Sequence, residues 1–289
     1  MELYYCLGGG FGHITRFLAF KYTFGVNPDL ITACKALQDG FPALDDTRLH
    51  VPEEYDISSP EAFRGWITML IDNLRPARFY IDTFPGGILG ELTDLDALEN
   101  VKLVYLARHI KWNKYLERIN GKFPDFEEIL ILEELQPEHQ VFINMSSARK
   151  LETELIDPDV PCISDLPENF WLVIHSDPGE ELKNLWHYAC ETAEIEKVKP
   201  AFIVVSAGKK PEFLPNDVLF INAYPAHGMF HKAEKVFSGA GFNMVRQMKK
   251  YRKKHHVLPF ERALDDQFFR ASLLWNNNSQ LASHSIRQF

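Results

Sequence analysis

The 289-residue chain is 46% hydrophobic, enough for a full core in one large domain or two ordinary ones. Its net charge of −9 excludes a nucleic-acid binder that works by overall electrostatics. The four cysteines, Cys6, Cys34, Cys162 and Cys190, form no CxxC pair, so the chain reads as a cytoplasmic protein with reduced thiols and no structural zinc. The start, MELYYCLGGG, lacks the basic and apolar regions of a signal peptide. No apolar run approaches the roughly 20 residues of a membrane span.

The first half holds six short apolar runs: LYYCL, DLITAC, TRLHV, ARFYIDTF, VKLVYLAR and HQVFIN. They are nearly continuous rather than alternating, as in parallel strands buried on both faces. Directly behind LYYCL comes GGGFGHITR, residues 8–16. A dinucleotide fingerprint GxGxxG fails here, because its third glycine falls on His13 or Thr15. The run DLITAC also lacks the acid expected for a ribose. What remains is a glycine turn opening a helix with Gly12 and His13 at its first positions. An imidazole at a helix N-terminus stays neutral near pH 7 and serves as a base; a plain cap is the other reading.

Between the runs, SPEAFRGWITMLIDNLRP places Phe63, Trp66, Ile67, Leu70, Ile71 and Leu74 on one helical stripe, bracketed by Ser59-Pro60 and Pro76. In FYIDTFPGGILGEL, Asp82 and Glu91 either orient His13, bind an acceptor or cap the turn before a helix. Arg108 and His109 end another strand and read as structural. A polar segment with Pro158, Pro161 and Pro167 follows. Residues 1–145 are therefore expected as one α/β domain, 146–169 as a linker and 170–289 as a second α/β domain.

The second half repeats the rhythm with FWLVIHS, AFIVVSAG, DVLFINAY, KVFSGA and HHVLPF. A helix with Leu182, Leu185, Trp186, Ala189 and Ala193 on its buried stripe is expected after the first run. The loops at His175–Gly179 and Ser206–Lys210 offer amides, hydroxyls and lysines to a phosphate, or are ordinary turns. The richest stretch is residues 236–271. Its turn Ser238-Gly239-Ala240-Gly241 presents amides at a helix start, which suits a pyrophosphate. That helix is expected to bury Phe242, Val245, Met248 and Tyr251. Asp266 and Gln267 then set an acceptor beside an amide, suited to sugar hydroxyls. The basic run Lys249, Lys250, Arg252, Lys253 and Lys254 reads as a solvated helix C-terminus, or as a patch for an anionic membrane surface or a lipid-linked phosphate.

This stretch resembles the donor half of GT-B glycosyltransferases, two Rossmann-like doubly wound parallel-sheet domains facing across a cleft. The similarity is to the GlcNAc transferase of peptidoglycan precursor synthesis and to plant-type UDP-sugar transferases. It is carried by Gly241-Phe242-Asn243, Pro259, Asp266-Gln267 and Ala271. Three positions depart: Gln247 stands where the family has a ribose-holding glutamate, Arg252-Lys253-Lys254 replace Gly-x-Pro, and the usual Asn is displaced by Arg270. The resemblance implies a metal-independent transferase without a cofactor, whose co-substrate is a nucleotide sugar, UDP-linked. Gly10, Gly12 and His13 match the family's acceptor-side turn, with His13 as base for an acceptor hydroxyl. The resemblance also implies that the 238–241 amides hold pyrophosphate, Asp266 and Gln267 the sugar and Gln247 the ribose. Gly10-Phe11-Gly12-His13-Ile14-Thr15-Arg16 looks equally like the start of the UDP-sugar hydrolases of pseudaminic acid synthesis, where the nucleophile is water. A non-catalytic nucleotide-sugar binder is the remaining alternative. The acceptor is open.

Overall fold

The computed structural model describes residues 1–8, 11–34, 44–160 and 166–275. The chain divides into two compact units. The first holds Met1–Pro158 together with Ala263–Asp265; the second holds Asp159–Arg262 and the chain from Asp266 onward.

The first unit carries a seven-stranded sheet. Its strands are β1 (Glu2–Tyr5), β2 (Asp29–Ile31), β3 (Leu49–His50), β4 (Arg78–Asp82), β5 (Lys102–Ala107), β6 (Glu128–Ile131) and β7 (Arg149–Glu152). They lie in the order β3-β2-β1-β4-β5-β6-β7, all parallel. This is the doubly wound order, in which the chain reverses direction between β1 and β4. Helix α1 (Phe11–Phe24) covers one face and α2 (Pro60–Leu74) the other. The strand residues sort accordingly. Leu3, Tyr5, Phe79 and Ile81 join the α2 side, while Tyr4, Cys6 and Tyr80 join the α1 side. Burial on both faces is why these strands read as unbroken apolar runs. The α2 ends are as expected: Ser59 accepts from the Ala62 amide, and Arg75 closes the helix in left-handed geometry.

Two expectations fail in this unit. The run HQVFIN is not a strand; it lies in helix α4 (Pro137–Met145), after a short α3 (Trp112–Leu116). Pro137 starts α4, and His139 and Ile143 form its buried side while Val141 and Met145 stay exposed. A short apolar run does not reveal its period. The strand is instead EILI of β6. The expected linker also contains a strand: Arg149–Glu152 forms the sheet edge, all four residues exposed. Such an edge needs charge rather than apolar side chains, and Arg149 pairs with Glu128 on β6.

The second unit carries β8 (Trp171–Ile174), β9 (Phe202–Val205), β10 (Leu219–Ile221), β11 (Lys235–Ser238) and β12 (His255–Val257). They form a parallel sheet ordered β10-β9-β8-β11-β12, with its reversal between β8 and β11. Helix α5 (Glu180–Glu196) buries Leu182, Leu185, Trp186, Ala189 and Ala193 as expected. Helix α6 (Phe242–Gln247) is shorter than expected. From Met248 to Lys254 the chain winds as a 3-10 helix, with Tyr251 off helical geometry. Met248 is buried, Tyr251 packs beside it, and Lys254 lies over the Tyr251 ring and donates to the carbonyls of His231 and Ala233. The basic run is thereby split. Lys249, Lys250 and Lys253 are exposed, while Arg252 and Lys254 are partly buried. A last helix is described over 267–275.

Candidate active site

Alternation along β4 puts Asp82 on the α1 side, after Tyr80, and alternation along β1 puts Cys6 there too. Above them, His13 and Arg16 lie three residues apart on α1 and share one helix face. The result is a buried cluster at the carboxyl ends of β1 and β4, where the sheet reverses and such folds bind ligands. His13 Nδ1 lies 2.9 Å from Asp82 Oδ2. Arg16 donates through Nε to Asp82 Oδ1 and through Nη2 to Oδ2. Arg16 Nη2 also donates to Thr83 Oγ1 at 3.1 Å, so both its protons are used. Its 3.0 Å approach to His13 Nδ1 is therefore proximity. An ionised carboxylate only accepts, so Nδ1 carries the imidazole proton and Nε2 holds the lone pair.

The electrostatics agree. Burial alone would raise the Asp82 carboxyl, but the Arg16 charge and the hydrogen bonds from His13 and Arg16 outweigh it and hold Asp82 well below the usual carboxylate range. Burial lowers the His13 pKa, and the charges of Arg16 and Arg108 lower it further, against the opposing pull of Asp82. His13 is thus a neutral imidazole whose side chain keeps 17% of its exposure. That is the equipment of a general base. A Cβ at Gly8 would fall on the His13 ring, so the glycine that this ring requires is Gly8. Gly10 lies outside the described residues. Gly12 sits exposed in the first turn of α1.

The chain leaves β4 through an unusual turn. Thr83 has φ +72°, and the Phe84 amide donates back to the Asp82 carbonyl at 2.8 Å. This is a γ-turn of the positive-φ kind, strained by about 1–3 kcal/mol for a β-branched residue. The expected helix after it is absent: the loop runs through turns to a 3-10 segment at Asp96–Leu98. Glu91 does not reach His13. It accepts from the Ile88 and Leu89 amides and from the Tyr5 hydroxyl, so it fastens the loop. Arg108 donates from Nε to Thr83 Oγ1 at 2.8 Å and from Nη1 to Asp265 at 2.7 Å. The structural reading of Arg108 did not include these two partners. Thr83 and Gly8 carried no sequence signal beyond standing at strand ends.

Cys6, His13 and Asp82 offer ligand atoms all within 4.8 Å of one another. The donor set does not suit a cation. Burial pushes the Cys6 thiol up, keeping its proton. Both Asp82 oxygens already face the Arg16 guanidinium, which a metal ion would have to displace.

In the second unit the turn after β11 is tied down from within. Ser238 Oγ donates to the Gly239 carbonyl and lies 2.8 Å from His255 Nε2. Gln267 Oε1 accepts from the Ala240 amide at 3.0 Å and from the Phe260 amide at 3.1 Å. Asp266 Oδ1 accepts from the Phe269 amide and caps the last helix. Among the described residues the Gly239 and Gly241 amides carry no hydrogen bond. The Ala240 amide, expected to face a phosphate, serves the turn itself, as does the Ser238 hydroxyl. Asn243 and Gln247 are both partly buried on α6. The loop after β8 is unsuited to phosphate, since Glu180 and Glu181 occupy the first turn of α5. There Glu181 pairs with His175 and Arg262. Lys210 is bound to the carbonyls of Asn216 and Val218.

No protein-family model matches the chain, and no curated protein matches it by sequence. Solved structures do match. The glycosyltransferase of kitacinnamycin superposes with a TM-score of 0.61 at 12% identity, over 95% of this chain and 83% of that one. The spinosyn rhamnosyltransferase SpnG, solved with thymidine diphosphate, gives 0.53 at 13% identity over 94% and 83%. A UDP-GlcNAc 2-epimerase from Methanocaldococcus jannaschii gives 0.51 at 10% identity over 90% and 89%. Identities this low speak for the fold and not for the chemistry. The chain has the two-domain α/β fold of the GT-B glycosyltransferases.

Proposed function

We propose that the chain is a nucleotide-sugar-dependent glycosyltransferase with His13 as its general base. The observation that carries this reading is the His13–Asp82 pair. Nδ1–H is held by a buried carboxylate, leaving an unprotonated Nε2 on a ring that is partly open to solvent. In the proposed reaction Nε2 takes the proton of an acceptor hydroxyl as its oxygen attacks the anomeric carbon. Asp82 stabilises the imidazolium that forms, and the bond to the nucleoside diphosphate breaks. The Gly239 and Gly241 amides are the donors proposed for the leaving diphosphate. Asp266 and Gln267 are proposed to position the sugar, with the Gln267 carbonyl committed to the protein and its Nε2 left to donate. Gln247 is proposed for the ribose. The thymidine diphosphate seen in SpnG supports a nucleoside diphosphate as the leaving group; the proposed donor is UDP-linked.

The test is release of UDP from UDP-sugars with and without a panel of hydroxylated acceptors. Release that requires an acceptor supports the transferase. Release without one makes water the nucleophile and the chain a hydrolase. Donor binding with no turnover, unchanged in His13→Ala, would overturn both in favour of a binding protein.

A further inference from the structure

The geometry points to Thr83 as a positioning residue, whose hydroxyl locks the Asp82 carboxylate, and through it the His13 ring, in one orientation. This inference rests on the reading of His13 as base. In an extended strand, successive side chains point to opposite faces. Asp82 and Thr83 nevertheless bond to each other, and both touch Arg16. The turn at Thr83, with φ +72°, is what folds the second side chain back beside the first.

Once there, the hydroxyl is saturated. It donates to Asp82 Oδ1 at 3.2 Å, and it accepts from Arg16 Nη2 at 3.1 Å and Arg108 Nε at 2.8 Å. One proton and two lone pairs are all a hydroxyl has. The backbone of the same residue is equally committed. Its amide donates to Leu106 O at 3.1 Å, and its carbonyl accepts from Tyr105 OH at 2.9 Å. Strain at one residue, held by five hydrogen bonds and aimed at one carboxylate, is the signature of an arrangement kept for orientation. With Thr83 in place, Asp82 Oδ1 takes Arg16 Nε and the threonine proton. Oδ2 then remains for Arg16 Nη2 and the imidazole.

Arg108 extends the lock. Its Nη1 holds Asp265, and Asp265 belongs to the three-residue segment Ala263–Asp265 within the first unit. That segment is fastened to the chain after β5 by the Lys111 amide on Leu264 O at 2.8 Å and by a bridge between Ile110 and Asp265. The guanidinium is thus anchored at both ends and cannot swing away from Thr83.

The test reads the imidazole directly. Protein labelled with 15N-histidine is compared by long-range 1H–15N spectra as wild type, Thr83→Val, Thr83→Gly and Thr83→Ser. The His13 signal is assigned by its loss in His13→Gln. Valine keeps the shape and removes the hydroxyl. Glycine removes it while fitting the positive φ without strain, so it carries the test if the valine variant does not fold. Expected are a single Nδ1–H tautomer in wild type and Thr83→Ser, and tautomer averaging in the other two. Where turnover is found, kcat should fall about tenfold to a hundredfold in those two, the loss of one hydrogen bond to a charged group, with KM within about threefold. A wild-type His13 spectrum in both Thr83→Val and Thr83→Gly would overturn the inference. The spectra need no substrate, so a failure of the transferase reading shows separately, as unchanged turnover in His13→Ala.

Discussion

In each unit a glycine follows a strand at the reversal of the sheet, Gly8 after β1 and Gly239 after β11, and a helix comes next. The groups around them differ. In the first unit a 14-residue helix follows, and beneath it lie a carboxylate and two guanidiniums, with an imidazole kept neutral among them. In the second unit the turn feeds a six-residue helix and is laced by neutral groups, chiefly the Gln267 carbonyl. The first surrounds an imidazole with charge; the second is braced through backbone amides. The comparison teaches that the same place in two doubly wound sheets can be surrounded by charged side chains or by neutral ones, so the fold alone does not fix the chemistry.

The sharpest way to break the contrast is to remove the charge at its centre. Asp82→Ala removes the carboxylate shared by Arg16 and His13 and is expected to cost about 3–5 kcal/mol, read by urea unfolding. A loss under about 1 kcal/mol would mean that the cluster is wetter than its burial indicates. His13→Ala is expected to leave stability nearly intact and to lower turnover about 10²–10⁴-fold, the contribution of a general base.

The pH dependence carries a sign. His13 has its pKa lowered, so turnover should persist below the ordinary value of about 6.5 and fall only as the pH drops through the lowered one. Stability should fall as the pH drops below about 6.5, because the unfolded chain takes up protons that folded His13 refuses. His139 and His255, each brought down to about 3 by burial, add to that slope between about pH 6.5 and 3. A stability flat over that range would contradict all three.

Much of this was legible in the sequence where burial repeats. Ten of the eleven apolar runs contain strands, because parallel strands covered on both faces must be apolar throughout. HQVFIN misled because a run of six spans under two helical turns. RKLE of β7 was silent because an edge strand has little to bury. The residue types at the first site were legible too, since Gly12-His13 at a helix start and Asp82 at a strand end are chemistry-bearing positions. Their partners were not. Arg108 looked structural, and Thr83 is an ordinary threonine until its backbone reverses. Gln267 was legible as an important amide, but sequence pattern could not tell a sugar ligand from a brace between two backbone amides.

Two substitutions of intermediate effect sharpen the contrast between the two units. Gly8→Ala sets a methyl against the His13 ring, and the ring cannot yield without losing Asp82. The expected cost is about 1–3 kcal/mol of overpacking, with turnover falling toward that of His13→Ala. Wild-type kinetics would mean that the ring has freedom to move. Gln267→Ala strips the acceptor from the Ala240 and Phe260 amides, with an expected cost of about 1–3 kcal/mol. Gln267→Glu keeps an acceptor and should recover most of it. Full stability in the alanine variant would show that water replaces the brace.

The smallest structural effect is expected at Gly241. A Cβ there meets nothing within 4 Å, and its φ of −66° suits any residue. Gly241→Ala should therefore change stability by no more than about 0.5 kcal/mol. Its consequence should appear only with ligand. If the proposed donor is right, wild-type protein with UDP at about 100 times its dissociation constant should gain about 2.7 kcal/mol, seen as a rise in Tm. In Gly241→Ala that rise should shrink, because the methyl stands where a diphosphate would approach the amide. An undiminished rise would place the nucleotide elsewhere in the second unit. The turn after β11 would then be a brace only, and the second unit would hold its ligand by other groups than these amides.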